Sequence, residues 1–389
     1  MKEFNRDEKF IIRGEFYMFF LLGVYTLMVG TMVPFLRREY GISYEMSGYL
    51  LSANSIGIIT MGLVASYSAI LLGLKRAYMI QHALVIIGLI VVTVSGNYVI
   101  LVIGMVLMGL SSASTSNYSN QISNDISKSD SRIMNLMGVF FAVGACVTPY
   151  LVFFSSDTAG NWRYANYIVA VAAVFGILIT YRMKLGRESA QSGHVKRAGY
   201  SFFRLKKFWV MVIALFSYSS VEVAMMGWLV TYFMDGQKTS DQFASLMATI
   251  FWVSILVGRT ICSVIAKYIS KAKLILFLSV GTAIFTAVFI SNISLNASIA
   301  ATIGLGLFMA GIYSTIISDA GHIFSEYKLA FGFFVTMAWL GPIIMPAVVG
   351  IISERHDVLT GIRVIAVGAF VFLVVSIWNV MLDRKGVVS

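Results

Sequence analysis

The chain of 389 residues is 58% hydrophobic and only 12% charged, with a mean hydropathy of +0.84 and a net charge of +11. Its apolar residues come in long blocks rather than at amphipathic spacing, which excludes a soluble globular protein and makes the bilayer the solvent. Cys146 and Cys262 both lie inside apolar blocks, giving neither a disulfide framework nor a thiolate metal site.

Blocks nearly free of Asp, Glu, Lys and Arg predict twelve membrane-spanning helices, at 15–36, 46–72, 77–95, 98–120, 132–154, 164–182, 208–233, 243–266, 274–291, 297–318, 330–351 and 363–382. The shortest has 18 residues, enough to cross about 30 Å of hydrocarbon at about 1.5 Å per residue. The opening MKEFNRDEKFIIRGE has the charge of a signal peptide. The apolar run after it ends in PFLRREY rather than in a small-residue cleavage site, so an uncleaved first span is expected. With an even number of spans both termini share one side, which carries 22 of the 29 Lys and Arg against 6 on the other. That asymmetry predicts cytoplasmic termini and a plasma (inner) membrane protein; the positive charge therefore does not imply a nucleic-acid partner.

The longest polar stretch, YRMKLGRESAQSGHVKRAGYSFFRLKK at 181–207, divides six spans from six. It predicts an N-terminal bundle at 1–181, a cytoplasmic linker at 182–207 and a C-terminal bundle at 208–389. A shift of 197 residues maps Gly30 on Gly227, Gly109-Leu110 on Gly306-Leu307, Gly144 on Gly341 and Pro149 on Pro346. Only four prolines exist in the chain, and two of them pair at this offset. An all-α membrane protein of two parallel six-helix repeats follows, the architecture of the major facilitators, whose halves rock around a midplane site.

Polar residues inside the spans mark candidate chemistry. In span 4, GLSSASTSNYSNQISND sets Ser114, Asn117, Gln121 and Asn124 at steps of three and four, a stripe on one helix face. In span 10, GLFMAGIYSTIISDAGH does the same with Ser314, Thr315, Ser318, Asp319 and His322. Both stripes fit a hydrophilic cavity, and both fit interhelical hydrogen bonding. Span 7, FSYSSVEVAMMGWLVTYF, carries Glu222 near its middle. A carboxylate there is costly, and one that changes charge as a cavity changes sides suits proton coupling. Arg259 in span 8 is its candidate partner, for coupling or as a fixed ion pair between spans 7 and 8. His82 in span 3 reads as a packing or helix-end residue. Motifs for a protease metal site, a serine nucleophile or a phosphate loop do not occur, so neither an enzyme nor a cofactor is expected.

Span 7 resembles its counterpart in the fucose:proton symporter family of the major facilitators, with an aromatic-rich start, a Glu and then Trp-Leu-Val-x-Tyr. Similar passages are FWVSILVGRT at 251–260, GLFMAGIYSTIIS at 306–318, AWLGPIIMPAVVG at 338–350 and RIMNLMGVFFAVGACVTP at 132–149. The resemblance implies sugar import with protons, and roles for Asn135 and Glu222. The sequence departs from that family where acids are expected late in span 1 and in span 4, with Gly30 and Ser114 in their places. The loop SYSAILLGLKRAY also lacks the general facilitator Asp, which leaves Glu222 to carry the proton.

Sugars present C–H faces to aromatic rings and neighbouring hydroxyls to amides. Within the spans Tyr25, Trp228, Trp252, Tyr313, Asn54, Asn117 and Asn135 supply those groups, with Thr315 from the span 10 stripe. Trp228 and Trp252 equally suit packing or the interfacial belt. The reading is proton-coupled uptake of a sugar or similar small polar solute by a monomer in the bilayer. The alternative is proton-coupled efflux of drugs or amphipathic metabolites, favoured by the methionines and aromatics near Glu222.

Overall fold

The computed structural model describes residues 4–127, 131–158, 161–185 and 201–384, so most of the polar stretch between the sixth and seventh spans lies outside the described residues. Among them the chain is helical throughout, with no strand, and twelve helices are long and apolar enough to cross a membrane. That agrees with the twelve blocks of the sequence. The chain divides into two compact units, Met1–Ile42 with Leu50–Ser192, and Ser43–Tyr49 with Gly193–Ser389.

Unit 1 is built from α1 (Arg6–Tyr40), most of α2 (Tyr44–Leu72), α3 (Leu74–Val94), α4 (Tyr98–Ser127), α5 (Ser131–Thr158) and α6 (Arg163–Arg182). Helix α1 begins well before the apolar block, for a local reason. Asn5 and Glu8 form a reciprocal capping box, each side chain accepting from the other's backbone N–H at 2.8 Å, which satisfies two donors that a bare helix start would leave open. The helix ends at Gly41, whose φ of 63° is left-handed and lets its N–H reach the Arg37 carbonyl. Near that end Glu39 accepts from the Trp162 indole at 2.7 Å and pairs with Arg163 at 2.6 Å, fastening α1 to the start of α6.

Unit 2 comprises α7 (Lys206–Thr231), α8 (Asp241–Ile265), α9 (Lys271–Ser291), α10 (Leu295–Met309), α11 (Ile312–Asp319), α12 (Gly321–Glu326), α13 (Lys328–Arg355), α14 (Val358–Arg363) and α15 (Ile365–Arg384). The tenth predicted span, expected as one helix, is broken at Ala310 and Gly311 into α10 and α11. Gly311 packs so tightly on Cys262 that no side chain would fit there. Its carbonyl accepts both the backbone N–H and the hydroxyl of Thr315, restarting the helix. At one end of unit 2, Lys207 of α7 pairs with Asp319 of α11 at 2.7 Å and donates to Asn379 of α15 at 2.6 Å, and Asn379 donates back to Asp319 at 3.1 Å.

The offset of 197 residues reappears as geometry inside each unit. A Cβ on Gly109 would collide with the Asn54 carbonyl, and one on Gly306 would come within 2.6 Å of the Phe251 carbonyl; each member of the second pair lies 197 residues after its counterpart. Likewise Gly144 sits against Gly23's helix at the Phe20 carbonyl, and Gly341 lies 2.6 Å from the Phe216 carbonyl. Close backbone approach through small residues is how helices associate where lipid removes the hydrophobic drive between them. Both units use it at equivalent positions.

Candidate functional site around Glu222

Helix α7 runs through the interior of unit 2 and presents Tyr218 and Glu222 on one face, a turn apart. The Tyr218 hydroxyl lies 2.6 Å from Glu222 Oε1 and 3.2 Å from the Met309 carbonyl, so its single hydrogen is shared between them. Met309 is the last residue before the break, where a carbonyl lacks its helical partner. Tyr218 thus joins the carboxylate to the broken helix.

Two further groups complete the cluster. Arg259 of α8 and Tyr313 of α11 are both exposed and both within electrostatic reach of Glu222. Arg259 makes no ion pair with Glu222 within 4.0 Å. Glu222 itself is half-buried and Tyr218 fully buried. A half-buried carboxylate with one hydroxyl donor and a cation at a distance has a free oxygen for a proton or a solute hydroxyl. Among the described residues no group of three or more His, Cys, Asp or Glu could hold a metal ion.

The remaining candidates are distributed through both units. In unit 2, Trp228 is fully buried, its indole N–H on the Pro346 carbonyl at 3.3 Å, and Trp252 is buried beside Phe251. Thr315 is buried and bound to its own helix at Gly311. In unit 1, the buried Tyr25 donates to Thr115 at 2.7 Å, where Gln81 also donates, and Asn54 donates to the Met105 carbonyl at 3.1 Å, tying α2 to α4. Asn117 is exposed on α4, and Asn135 lies outside the residues whose side chains are described. The structure therefore brings Glu222, Arg259 and Tyr313 together in one unit, and adds Tyr218 to them. It also places a second carboxylate, Glu15, wholly inside unit 1. Sequence reading left Glu15 at the edge of the charged N-terminal run; its spacing from Ile11 and Met18, four and three residues away, was the available sign of an inward face.

The Major Facilitator Superfamily profile matches residues 16–324, well over half of the chain. The chain belongs to the Major Facilitator Superfamily, and is a membrane transporter rather than an enzyme. It is 22% identical to a Protein TsgA homolog of Buchnera aphidicola subsp. Baizongia pistaciae, over 93% of both chains. It is 20% identical to the glucose/mannose transporter GlcP of Bacillus subtilis, over 92% of both chains. Among solved structures, a D-xylose-proton symporter superposes with a TM-score of 0.77 at 13% identity, covering 95% of this chain and 97% of that one. The nucleoside transporter NupG does so with a TM-score of 0.75 at 15% identity, covering 98% of this chain and 100% of that one.

Proposed function

We propose that this chain is a secondary active transporter that takes up a sugar, or a similar small polar solute, together with protons by alternating access. The observation that carries the reading is Glu222, a carboxylate in the middle of an apolar span, held by Tyr218 at 2.6 Å and standing beside the exposed Arg259 and Tyr313. Such a group is retained in a membrane span where its charge has a use. Protonated, it is neutral and passes through the occluded state; ionised, it accepts from Tyr218 and is drawn toward Arg259. Similarity to a D-xylose-proton symporter and to a glucose/mannose transporter supports the solute class. The polar surroundings of Glu222 favour it over efflux of amphipathic compounds.

In this reading Tyr313 and Asn117, both exposed, meet the solute, with Asn135 as a further amide. Tyr25, Asn54, Trp228, Trp252 and Thr315 support it from their buried positions. The six-helix bundles at 1–181 and 208–389 move against each other, the termini face the cytoplasm, the membrane is the plasma membrane, and the working unit is a monomer. The test is internal pH in proteoliposomes of the purified protein as hexoses, pentoses, nucleosides and cationic dyes are added outside. Acidification with one sugar is the expected result. Alkalinisation with a dye and silence with every sugar would replace uptake by efflux.

A further inference from the structure

Unit 1 holds a carboxylate that the Glu222 site does not use. Glu15 of α1 has no solvent exposure, and its neighbours on the helix face, Ile11 and Met18, belong to an apolar cluster with Tyr78, Tyr118, Ile122 and Met183. Its Oε2 accepts from the Tyr78 hydroxyl at 3.0 Å, and that hydroxyl lies 2.5 Å from Ser119 Oγ, with either atom able to donate. Its Oε1 has no hydrogen-bond partner, and among the described residues no cation pairs with it. The titratable and charged groups around it are Tyr78 and His82 of α3, Tyr118 of α4, and Lys75 at the cluster's edge. His82 is ring-packed on Tyr78 at 4.8 Å with Nε2 unpartnered, while Tyr118 is bonded to Ser68 and the Ala65 carbonyl. Lys75 is committed to the Met183 carbonyl at 3.0 Å. From α5 and α6 no charged side chain is in hydrogen-bond or ion-pair contact with Glu15 among the described residues.

An ionised carboxylate here would leave a charge-bearing oxygen unpaired in an apolar shell, an arrangement buried charges avoid. The neutral acid fits without moving a heavy atom. Its proton sits on Oε2 and is donated to the Tyr78 oxygen, Tyr78 turns its own hydrogen onto Ser119, and Oε1 becomes a carbonyl oxygen, for which a missing partner costs less. On ionisation the same two hydroxyls reverse, Ser119 donating to Tyr78 and Tyr78 to Glu15. We propose that Glu15, Tyr78 and Ser119 form a second proton-binding site, enclosed in unit 1, which gains one proton from water and returns it to water during the transport cycle. Its part in coupling rests on the proton-driven reading above; the protonation of Glu15 does not.

Infrared difference spectra of the full-length protein in lipid vesicles, recorded across a pH titration, separate the two. The expected result is a carbonyl stretch of a protonated carboxylic acid that disappears as pH rises, is absent in Glu15→Gln, and persists in Glu222→Gln. Tyr78→Phe, which removes the acceptor and keeps the ring, should shift that band rather than abolish it. The same carboxylic-acid bands in wild type and Glu15→Gln, or a Glu15 band that never titrates, would overturn the proposal. Failure of every solute to move protons in wild-type vesicles would instead remove the coupling reading and leave the infrared result standing.

Discussion

Glu222 and Glu15 are both carboxylates inside apolar helices, and their surroundings assign them different exposure. Glu222 is half-buried beside Arg259 and Tyr313, whereas Glu15 is sealed among Ile11, Met18 and Met183. Glu222→Gln keeps the shape and an acceptor for Tyr218 but cannot ionise. It should abolish solute accumulation driven by a proton gradient while leaving solute exchange across the membrane. Uptake and counterflow in proteoliposomes read the two separately, and a variant that still accumulates solute would remove Glu222 as the coupling group. Glu222 was legible in the sequence because one acid in an otherwise apolar run has no other explanation than function or pairing. Glu15 was not, because Arg13 and the charged run before it resemble a solvated tail. Only the capping box at Asn5 and Glu8, which carries the helix back through that run, turns Glu15 inward.

Helix ends and helix contacts decide stability at the next scale. Lys207 and Asp319 are 10% and 11% exposed, so removing one partner strands a desolvated charge. Lys207→Met should cost about 3–5 kcal/mol, against a smaller loss for the double variant Lys207→Met with Asp319→Leu; thermal unfolding in detergent compares them. Gly144→Val would push a side chain into the Phe20 carbonyl and should destabilise unit 1 by about 1–3 kcal/mol, read from the same melting curves. Asp357 caps α14, accepting from the Thr360 N–H at 2.9 Å and its hydroxyl at 2.7 Å, and Thr360 holds its carboxyl below the usual range. A carboxyl lowered in the folded state contributes stability above its ordinary value of about 3.9 and loses it as pH falls through the folded value. Asp357→Asn should flatten that acid loss while keeping the cap, and Asp357→Ala should cost about 1 kcal/mol at neutral pH. The break at Ala310 and Gly311 escaped the sequence because Gly-rich apolar runs in a membrane are as often continuous; the close approach of Cys262 and the Tyr218 hydroxyl on Met309 define it.

For the whole molecule, hydropathy and the internal repeat carried the architecture. Twelve apolar blocks of spanning length leave the backbone no alternative to helix in lipid, and an offset of 197 residues that aligns glycines also aligns the carbonyls they touch, Asn54 with Phe251. These were readable because each depends on residues near one another in sequence, or on one fixed shift. Which polar groups meet depends instead on the faces that helices distant in sequence turn to each other. Tyr218, Glu222, Arg259 and Tyr313 come from three segments, and Glu15, Tyr78 and Ser119 from three others. By itself the sequence determined the membrane, the spans, the repeat and the importance of Glu222. Only the tertiary structure decided that Trp228, Trp252, Tyr25 and Asn54 are buried among helices, that Tyr218 bridges Glu222 to a broken helix, and that Glu15 lies sealed in unit 1. The reason is that burial and hydrogen bonding between helices are set by packing in three dimensions, which a one-dimensional pattern constrains only through its period.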